Sequence, residues 1–165
     1  MDVITFEVIA VGNVGADTAG TKLLHEMKDA GINTRYVRIE PDSRTAFSTV
    51  FFYPDKSGGN ITASNSANSG LDAEQIAECQ VLLEKAGRGS IALCLPEVPL
   101  DKRQEFLRVA TDCGSYPVAS FPSEEMKSAR ELKLLANVDL LAIDREEAME
   151  LAGSKPRDRS EGQPP

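Results

Sequence analysis

The sequence predicts an α/β protein in which helices flank a parallel sheet and a small β-sheet is appended. From Leu71 onward, short apolar segments alternate with amphipathic helical segments. That alternation is typical of a parallel sheet with both faces covered by helices. Between Thr34 and Ser64, three strand-like segments instead follow one another, separated by turn residues. Successive strands without a helix predict a separate small sheet.

Length and charge limit the classes of function. The chain has 165 residues, of which 41% are hydrophobic and 27% charged, as expected for one globular domain. Its net charge of −8 disfavours nucleic acid or anionic lipid as the main partner. ATP stays compatible, because backbone N–H groups can hold phosphate on an acidic protein. With no apolar run of about 20 residues and no secretory signal, we expect a cytoplasmic protein.

The first part of the chain contains a predicted strand, a helix and the small sheet. The strand Phe6–Gly12 precedes a helix with Asp17 or Thr18 as N-cap. The strands of the small sheet are Tyr36–Ile39, Ala46–Tyr53 and Asn60–Ser64. Both faces of the middle strand are largely apolar, so they require covering by the domain, a ligand or a second subunit.

The second part follows a regular order of helix and strand. The predicted strands are Ser90–Leu95, Tyr116–Ser120 and Val138–Ile143. The predicted helices are Asp72–Lys85, Asp101–Cys113, Ser123–Leu135 and Asp144–Ala152. Residues 1–153 therefore form one domain, and residues 154–165, which contain no apolar side chain, are predicted to be disordered.

Two segments could bind phosphate or its metal ion. Gly12–Gly15 is predicted between a strand and a helix, where it forms either a phosphate loop or, more commonly, a tight turn. Asp144 and Glu147 follow a strand at the sheet edge where Mg²⁺ could bind. The same two residues also have the spacing of a helix capping box, as do Asp72 with Gln75 and Asp101 with Gln104.

Other candidate residues are few. Glu97 follows the strand Ser90–Leu95 between two prolines, and it is either a hydroxyl-binding carboxylate or a solvated loop acid. Asn68 either binds a polyol or lies in a turn. The single histidine, His25, is predicted on the surface, and the three cysteines are predicted as reduced core residues. No catalytic triad or paired-cysteine metal site is present in the sequence, and no metal ligand is predicted apart from the possible association of Asp144 and Glu147 with Mg²⁺.

The order of several motifs resembles the PfkB/ribokinase family of carbohydrate kinases. Val11–Gly20 (VGNVGADTAG) resembles that family's VGxVGxDxxG turn, and Gly31–Val37 its GV(D/N)T element. Ser66-Ala67-Asn68 is similar to its GAN, and Leu95–Pro99 (LPEVP) to its QLEIP. Val138–Gly153 resembles the segment that carries its NxxE motif, with Asp144 in place of the asparagine.

The resemblance implies a three-layer ribokinase-like fold with residues 34–64 as a lid. It implies that Glu97 and Asn68 contact a sugar or nucleoside-like substrate. Glu147, with Asp144 in the asparagine position, would be associated with Mg²⁺ and phosphate, and ATP would be the phosphoryl donor. The family's GAGD signature, which carries the catalytic base, and its Gly-Gly…Asn sugar-binding segment do not occur in this sequence.

We therefore expect a truncated or internally shortened carbohydrate kinase that is itself inactive. Its intact relatives would transfer phosphate from ATP to a hydroxyl group. One alternative is a non-catalytic sugar- or nucleotide-binding module that dimerises through the lid sheet. Another alternative is an unrelated nucleotide-binding α/β enzyme with its cofactor at Gly12–Gly15.

Overall fold

A computed structural model describes residues 6–63 and 65–153, which fall into two compact units. The first unit runs to residue 82 and includes residues 97–102, and the second comprises residues 83–96 and those from 103 onward. The predicted tail at 154–165 lies outside the described residues, as does Ser64 at the end of a predicted strand.

The first unit opens with a parallel β-α-β arrangement. Strand β1 (Ile9–Gly15) is followed by helix α1 (Thr18–Asp29) and by strand β2 (Asn33–Glu40). The two strands pair in parallel, with Val14 opposite Ile39 and Gly15 opposite Glu40. The prediction that Tyr36–Ile39 is a lid strand is therefore wrong, because the helical crossover brings this segment back beside β1.

One carboxylate fixes the junction between β1 and α1. Asp17 is the N-cap of α1, and its side chain accepts hydrogen bonds from the backbone N–H of Gly20 at 2.8 Å and of Thr45 at 2.9 Å. The Thr45 hydroxyl donates to Asp17 at 2.7 Å and accepts from the Gly15 N–H at 3.0 Å. These bonds, led by that from Gly20, lower the pKa of Asp17 to about 2.

The same junction explains two glycines of the VGNVGADTAG segment. A Cβ on Gly15 would lie 2.4 Å from the Ser43 carbonyl oxygen. A Cβ on Gly20 would lie 2.4 Å from the Gly15 carbonyl oxygen and 2.7 Å from Thr45 Oγ1. The first turn of α1 and the segment before the lid can approach β1 this closely because neither glycine has a side chain.

The lid is an antiparallel hairpin of two strands, β3 (Ser48–Phe52) and β4 (Gly58–Thr62). Two adjacent phenylalanines of β3 lie opposite two glycines of β4: Phe51 pairs with Gly59, and Phe52 with Gly58. A Cβ on Gly59 would lie 3.0 Å from the Phe51 ring, and one on Gly58 3.0 Å from the Phe52 ring. The glycines thus leave room for one aromatic ring on each face of the hairpin.

After the lid, a 3₁₀ helix (Ala67–Gly70) leads into helix α2 (Ala73–Ala86). The predicted capping pair is present, since Gln75 N–H donates to Asp72 Oδ1 at 2.9 Å. Gln75 is fully buried and donates from its side-chain amide to Asn13 Oδ1 at 2.7 Å. Arg38 of β2 forms ion pairs with Asp72, Glu74 and Glu78. Polar contacts therefore fasten α2 to the β1–β2 pair.

The second unit contains a three-stranded parallel sheet in the order β5 (Ile91–Cys94), β6 (Tyr116–Ala119) and β7 (Leu140–Leu141). The helices that follow these strands are α3 (Leu100–Asp112), α4 (Ser123–Glu131) and α5 (Arg145–Ala152), with a 3₁₀ helix at Leu134–Asn137 before β7. The fully buried core side chains are Leu107, Ala110, Ala119, Phe121, Ala129 and Leu134. Along β5, Ala92 and Cys94 are buried, whereas Ile91 and Leu93 are exposed.

Two predicted helix boundaries in this unit are wrong. Helix α3 begins at Leu100, so Asp101 lies in its first turn and is not its N-cap. The predicted helix Ser123–Leu135 ends at Glu131, because Lys133 adopts a left-handed conformation with φ of 57°. That conformation cannot continue a right-handed helix.

Arg103 of α3 is the largest buried side chain of the described residues, with 1% exposure. Its guanidinium pairs with Glu125 at 2.5 Å, donates to the Ser120 carbonyl and lies 4.3 Å from the centre of the Phe121 ring. It therefore ties α3 to the loop after β6 and to the first turn of α4. The sequence analysis did not single it out.

Replacing Asp17 by asparagine should destabilise the protein at neutral pH, because asparagine is a weaker acceptor for three donors. A folded-state pKa near 2, below the ordinary 3.8, gives stability that is present above about pH 4 and is lost as the pH falls toward 2. The melting temperature of the wild type should therefore fall more steeply than that of Asp17→Asn across this window. Asp29→Asn, on the same helix, is the control, and parallel curves would contradict the prediction.

Replacing Arg103 by methionine should lower the free energy of unfolding by about 3 kcal/mol, because the partly buried Glu125 loses its partner. Urea denaturation followed by circular dichroism measures this change. Arg108→Met is the matched control: Arg108 pairs with Asp112 on the surface of the same helix, and such pairs contribute at most about 1 kcal/mol. Equal losses in the two variants would show that burial of Arg103 is not what matters.

Candidate functional site

The candidate substrate site lies in the first unit, where the loop after β5 meets the lid. Glu97 Oε1 accepts a hydrogen bond from the Thr62 hydroxyl of β4 at 3.4 Å. Thr62 lies directly opposite Ser48 of β3, and their hydroxyl oxygens are 2.6 Å apart. A carboxylate and two hydroxyls thus form one polar cluster, which we call the lid-root cluster (Ser48, Thr62 and Glu97). Such a cluster can both donate hydrogen bonds to and accept them from a hydroxyl compound.

Glu97 itself has an unusual backbone conformation. Its φ is +69°, in the left-handed region that residues other than glycine and asparagine rarely adopt. Pro96 and Pro99 flank it, and its side chain is exposed. Such a conformation costs on the order of 1–3 kcal/mol and persists only where the surroundings impose it. The loop therefore fixes the backbone at Glu97 at a cost in stability, which is typical of functional sites.

The second predicted substrate residue, Asn68, lies in the 3₁₀ helix after the lid and is half-buried. This segment contacts the residues that lead into the lid. Ser66 forms an isolated parallel β-bridge with Arg44, and the Ala67 N–H donates to the Arg44 carbonyl at 2.8 Å. Leu71 N–H donates to the Asn68 carbonyl at 3.4 Å. Among the described residues, the Asn68 side chain has no hydrogen-bond partner. A role in substrate binding stays a prediction.

Asp144 and Glu147, in the second unit, form the predicted capping box at the start of α5. Asp144 Oδ1 accepts from the Glu147 N–H and Glu147 Oε2 from the Asp144 N–H, each at 2.8 Å. One oxygen of each carboxylate lies outside the box; Asp144 is exposed and Glu147 is half-buried. The described residues contain no group of three or more His, Cys, Asp or Glu side chains suited to a metal ion. The capping interpretation is confirmed, and a role toward Mg²⁺ stays a prediction.

The Gly12–Gly15 segment does not form a loop between a strand and a helix. It belongs to β1, which continues to Gly15, three residues beyond the predicted end. The Gly15 N–H is bonded to Thr45, and the Gly12 carbonyl accepts from Gln75 at 3.3 Å. The placement of this segment in a turn was therefore wrong, and the Gly15 N–H is already used within the protein.

The histidine and two of the three cysteines behave as the sequence indicated. Cys79 and Cys94 are buried, and burial raises the pKa of both thiols, that of Cys79 to about 11. A thiol with so high a pKa is a poor nucleophile at neutral pH. His25 is exposed and lies 3.3 Å from Asp29 on the same helix. The interpretation as core residues is confirmed for Cys79 and Cys94 and is wrong for Cys113, which is only half-buried. The interpretation of His25 as a surface residue is confirmed.

Ser48 and Thr62 are the site residues that the sequence analysis missed. Their signal is weak, because hydroxyl residues are common on exposed strands. The register of the hairpin places them opposite each other. The signal for this register is the pair of glycines, Gly58 and Gly59. Pairing them with Phe52 and Phe51 places Thr62 opposite Ser48.

This chain matches a protein family and is similar in structure to several solved ribokinases. The family described as "pfkB family carbohydrate kinase" matches residues 3–163. Ribokinase from Giardia lamblia superposes with a TM-score of 0.74 at 18% identity, over 89% of this chain and 44% of that one. Ribokinase from Arabidopsis thaliana, complexed with ribose and ATP, gives 0.64 at 19% identity, over 89% and 46%. Ribokinase from Cryptococcus neoformans var. grubii, in complex with ADP, gives 0.68 at 19% identity, over 90% and 46%.

These likenesses support the predicted α/β, ribokinase-like fold, and the chain spans about half the length of the solved structures that it matches. No curated protein matches it. In the described residues, every helix is too short or too polar to cross a membrane. A family match over nearly the whole sequence contradicts the alternative of an unrelated nucleotide-binding enzyme. The chain belongs to the pfkB family of carbohydrate kinases.

Proposed function

We propose that this chain is the lid and substrate-binding part of a carbohydrate kinase, and that it binds a sugar or related hydroxyl compound at the lid-root cluster. The observation that carries the proposal is the hydrogen bond from Thr62 of the lid to Glu97 of the loop after β5. A hydroxyl ligand can replace this long contact with shorter bonds to the carboxylate, which are stronger when the acceptor is charged. Asn68, near the base of the lid, would supply a further amide.

Phosphoryl transfer would need ATP and Mg²⁺ in addition to the sugar. Mg²⁺ in kinases is held by one or two carboxylates together with the phosphates of the nucleotide. The carboxylate oxygens of Glu147 and Asp144 that lie outside the capping box fit that limited role. The bound ion would neutralise charge on the moving phosphoryl group. Within this chain, the contribution of these residues is to hold the ion from the start of α5.

The same proposal includes a lack of turnover by this polypeptide alone. A general base must lie within hydrogen-bond reach of the hydroxyl that it deprotonates. Residues 1–165 contain no GAGD signature, which in the family supplies both the base and the anion hole. Binding without catalysis is therefore the activity that we propose for the isolated chain. We also propose a cytoplasmic location.

Isothermal titration calorimetry with a panel of monosaccharides tests the binding. We expect Glu97→Gln to weaken the binding of the preferred sugar by about 10- to 100-fold, since a hydrogen bond to a charged group contributes about 1.5–3 kcal/mol. Glu146→Gln, an exposed acid of the second unit, is the control and should change nothing. An ADP-release assay with ATP and the same sugars should stay at background. Turnover, or equal affinity in Glu97→Gln, would contradict the proposal.

A second candidate function, dimerisation through the lid, has its own supporting observation. The hairpin face that carries Thr49, Phe51 and Ile61, which we call the outer face, is largely apolar; Ile61 is 68% exposed and Phe51 is half-buried. Phe51 and Tyr53 form an edge-to-face pair on this face, with ring centres 5.5 Å apart. Exposed apolar patches of this kind commonly mark interfaces between subunits.

Light scattering at increasing protein concentration tests for the dimer. If the outer face is the interface, Ile61→Lys should yield a monomer, because a lysine on each copy places buried like charges together. Val81→Lys, an exposed apolar position on α2 that is 64% exposed, is the matched control and should leave the mass unchanged. A wild type that is monomeric at high micromolar concentration would exclude this function.

A further inference from the structure

We infer that the lid selects a hydroxyl compound that carries a planar apolar group, such as an aryl glycoside or a nucleoside, over a free monosaccharide. The inference rests on the proposed function, since it concerns the same site. It follows from the distribution of polar and apolar side chains along one face of the hairpin. We call this face, which carries Ser48, Val50 and Phe52, the inner face.

The strand pairing fixes which residues share the inner face. Successive side chains of a strand point to opposite faces, so Ser48, Val50 and Phe52 lie on the same side. Their partners across the hairpin are Thr62, Asn60 and Gly58, respectively. The hydrogen bond between Thr62 and Glu97 shows that this is the face turned toward the candidate site.

The inner face changes character along its length. At the root it is polar, with the hydroxyls of Ser48 and Thr62 beside Glu97. One step outward, about 7 Å along the strand, Val50 faces Asn60. A further step outward, about 14 Å from the root, the Phe52 ring lies beside Gly58. A ligand that contacts all three levels must be polar at one end and apolar at the other.

The two levels of the inner face beyond the root carry side chains that are exposed to solvent. Val50 is 60% exposed and Phe52 is 79% exposed. A free monosaccharide bound at the root would be too short to reach Phe52, and both side chains would stay in water. Covering an exposed aliphatic side chain and an aromatic ring removes apolar surface from water, at about 25 cal/mol for each Å². A ligand with an apolar extension would gain that free energy.

The side chains at these two levels of the inner face favour a planar group in particular. An aromatic ring packs against another in offset or edge-to-face geometry, and Phe52 presents its ring beside a residue without a side chain. Asn60, opposite Val50, is exposed and can donate to and accept from the edge of a polar heterocycle. An aryl group would use Phe52 and Val50, and a nucleobase would use Asn60 as well.

Calorimetric titration with matched pairs of small ligands tests the inference. The probes are the methyl and phenyl β-D-ribofuranosides, the methyl and phenyl β-D-glucopyranosides, and uridine. We expect the phenyl glycoside of at least one sugar to bind at least ten-fold more tightly than its methyl partner. Uridine binding more tightly than the phenyl riboside would indicate a nucleoside as the natural class, and the reverse order an aryl glycoside.

Two variants locate the preference. Phe52→Ala should reduce the phenyl-to-methyl affinity ratio toward one, and Phe52→Leu, which keeps the hydrophobic volume of the hairpin, should give an intermediate ratio. Val81→Ala, at an exposed apolar position of helix α2 outside the hairpin, is the control and should preserve the wild-type ratio. Circular dichroism of each variant verifies that it has folded.

The outcomes separate the two proposals. Equal binding of methyl and phenyl partners by the wild type would overturn the inference and leave the proposed function standing. A preference that survives unchanged in Phe52→Ala would also overturn it, since another surface would then be responsible. Failure of every probe and every monosaccharide to bind would overturn both.

Discussion

The Asp17 carboxylate is the contact on which the first unit depends. It caps α1 and binds both the backbone N–H and the hydroxyl of Thr45, and that hydroxyl in turn accepts from the end of β1. Two glycines let these segments approach to distances that a Cβ would forbid. The segment that leads into the lid is therefore positioned by the same few atoms that end β1 and start α1.

The structure of this junction also changes the interpretation of the Gly12–Gly15 segment. In the sequence, a glycine-rich segment before a helix such as Gly12–Gly15 is typical of a phosphate loop. In the fold, Gly15 allows close backbone packing and donates to Thr45, and the Gly12 carbonyl accepts from Gln75. Asp144 and Glu147 are similar, because their first use is to begin a helix. Glu97 differs from both: its backbone is strained and its side chain is exposed. Backbone strain of this kind is common at functional sites, whereas helix capping and close packing are structural roles.

The two faces of the lid hairpin carry different side chains. Because side chains alternate along each strand, β3 carries Phe51 and Phe52 to opposite faces, and Gly59 and Gly58 leave room for both rings. The polar root by Glu97 distinguishes the inner face from the outer face. A two-stranded hairpin is at best marginally stable alone in water, so contacts on either face also stabilise the lid itself.

The sequence by itself determined the order of helices and strands, the α/β class, the capping boxes at Asp72 and Asp144 and the burial of Cys79 and Cys94, because periodicity and capping are local. The tertiary structure decided what depends on segments distant in sequence. It paired Tyr36–Ile39 with β1, ended a helix at Glu131, buried Arg103, and joined Asp17 to Thr45 and Glu97 to Thr62. Residues separated by 28 to 35 positions meet only when the chain folds, and no local pattern records which partner each will find.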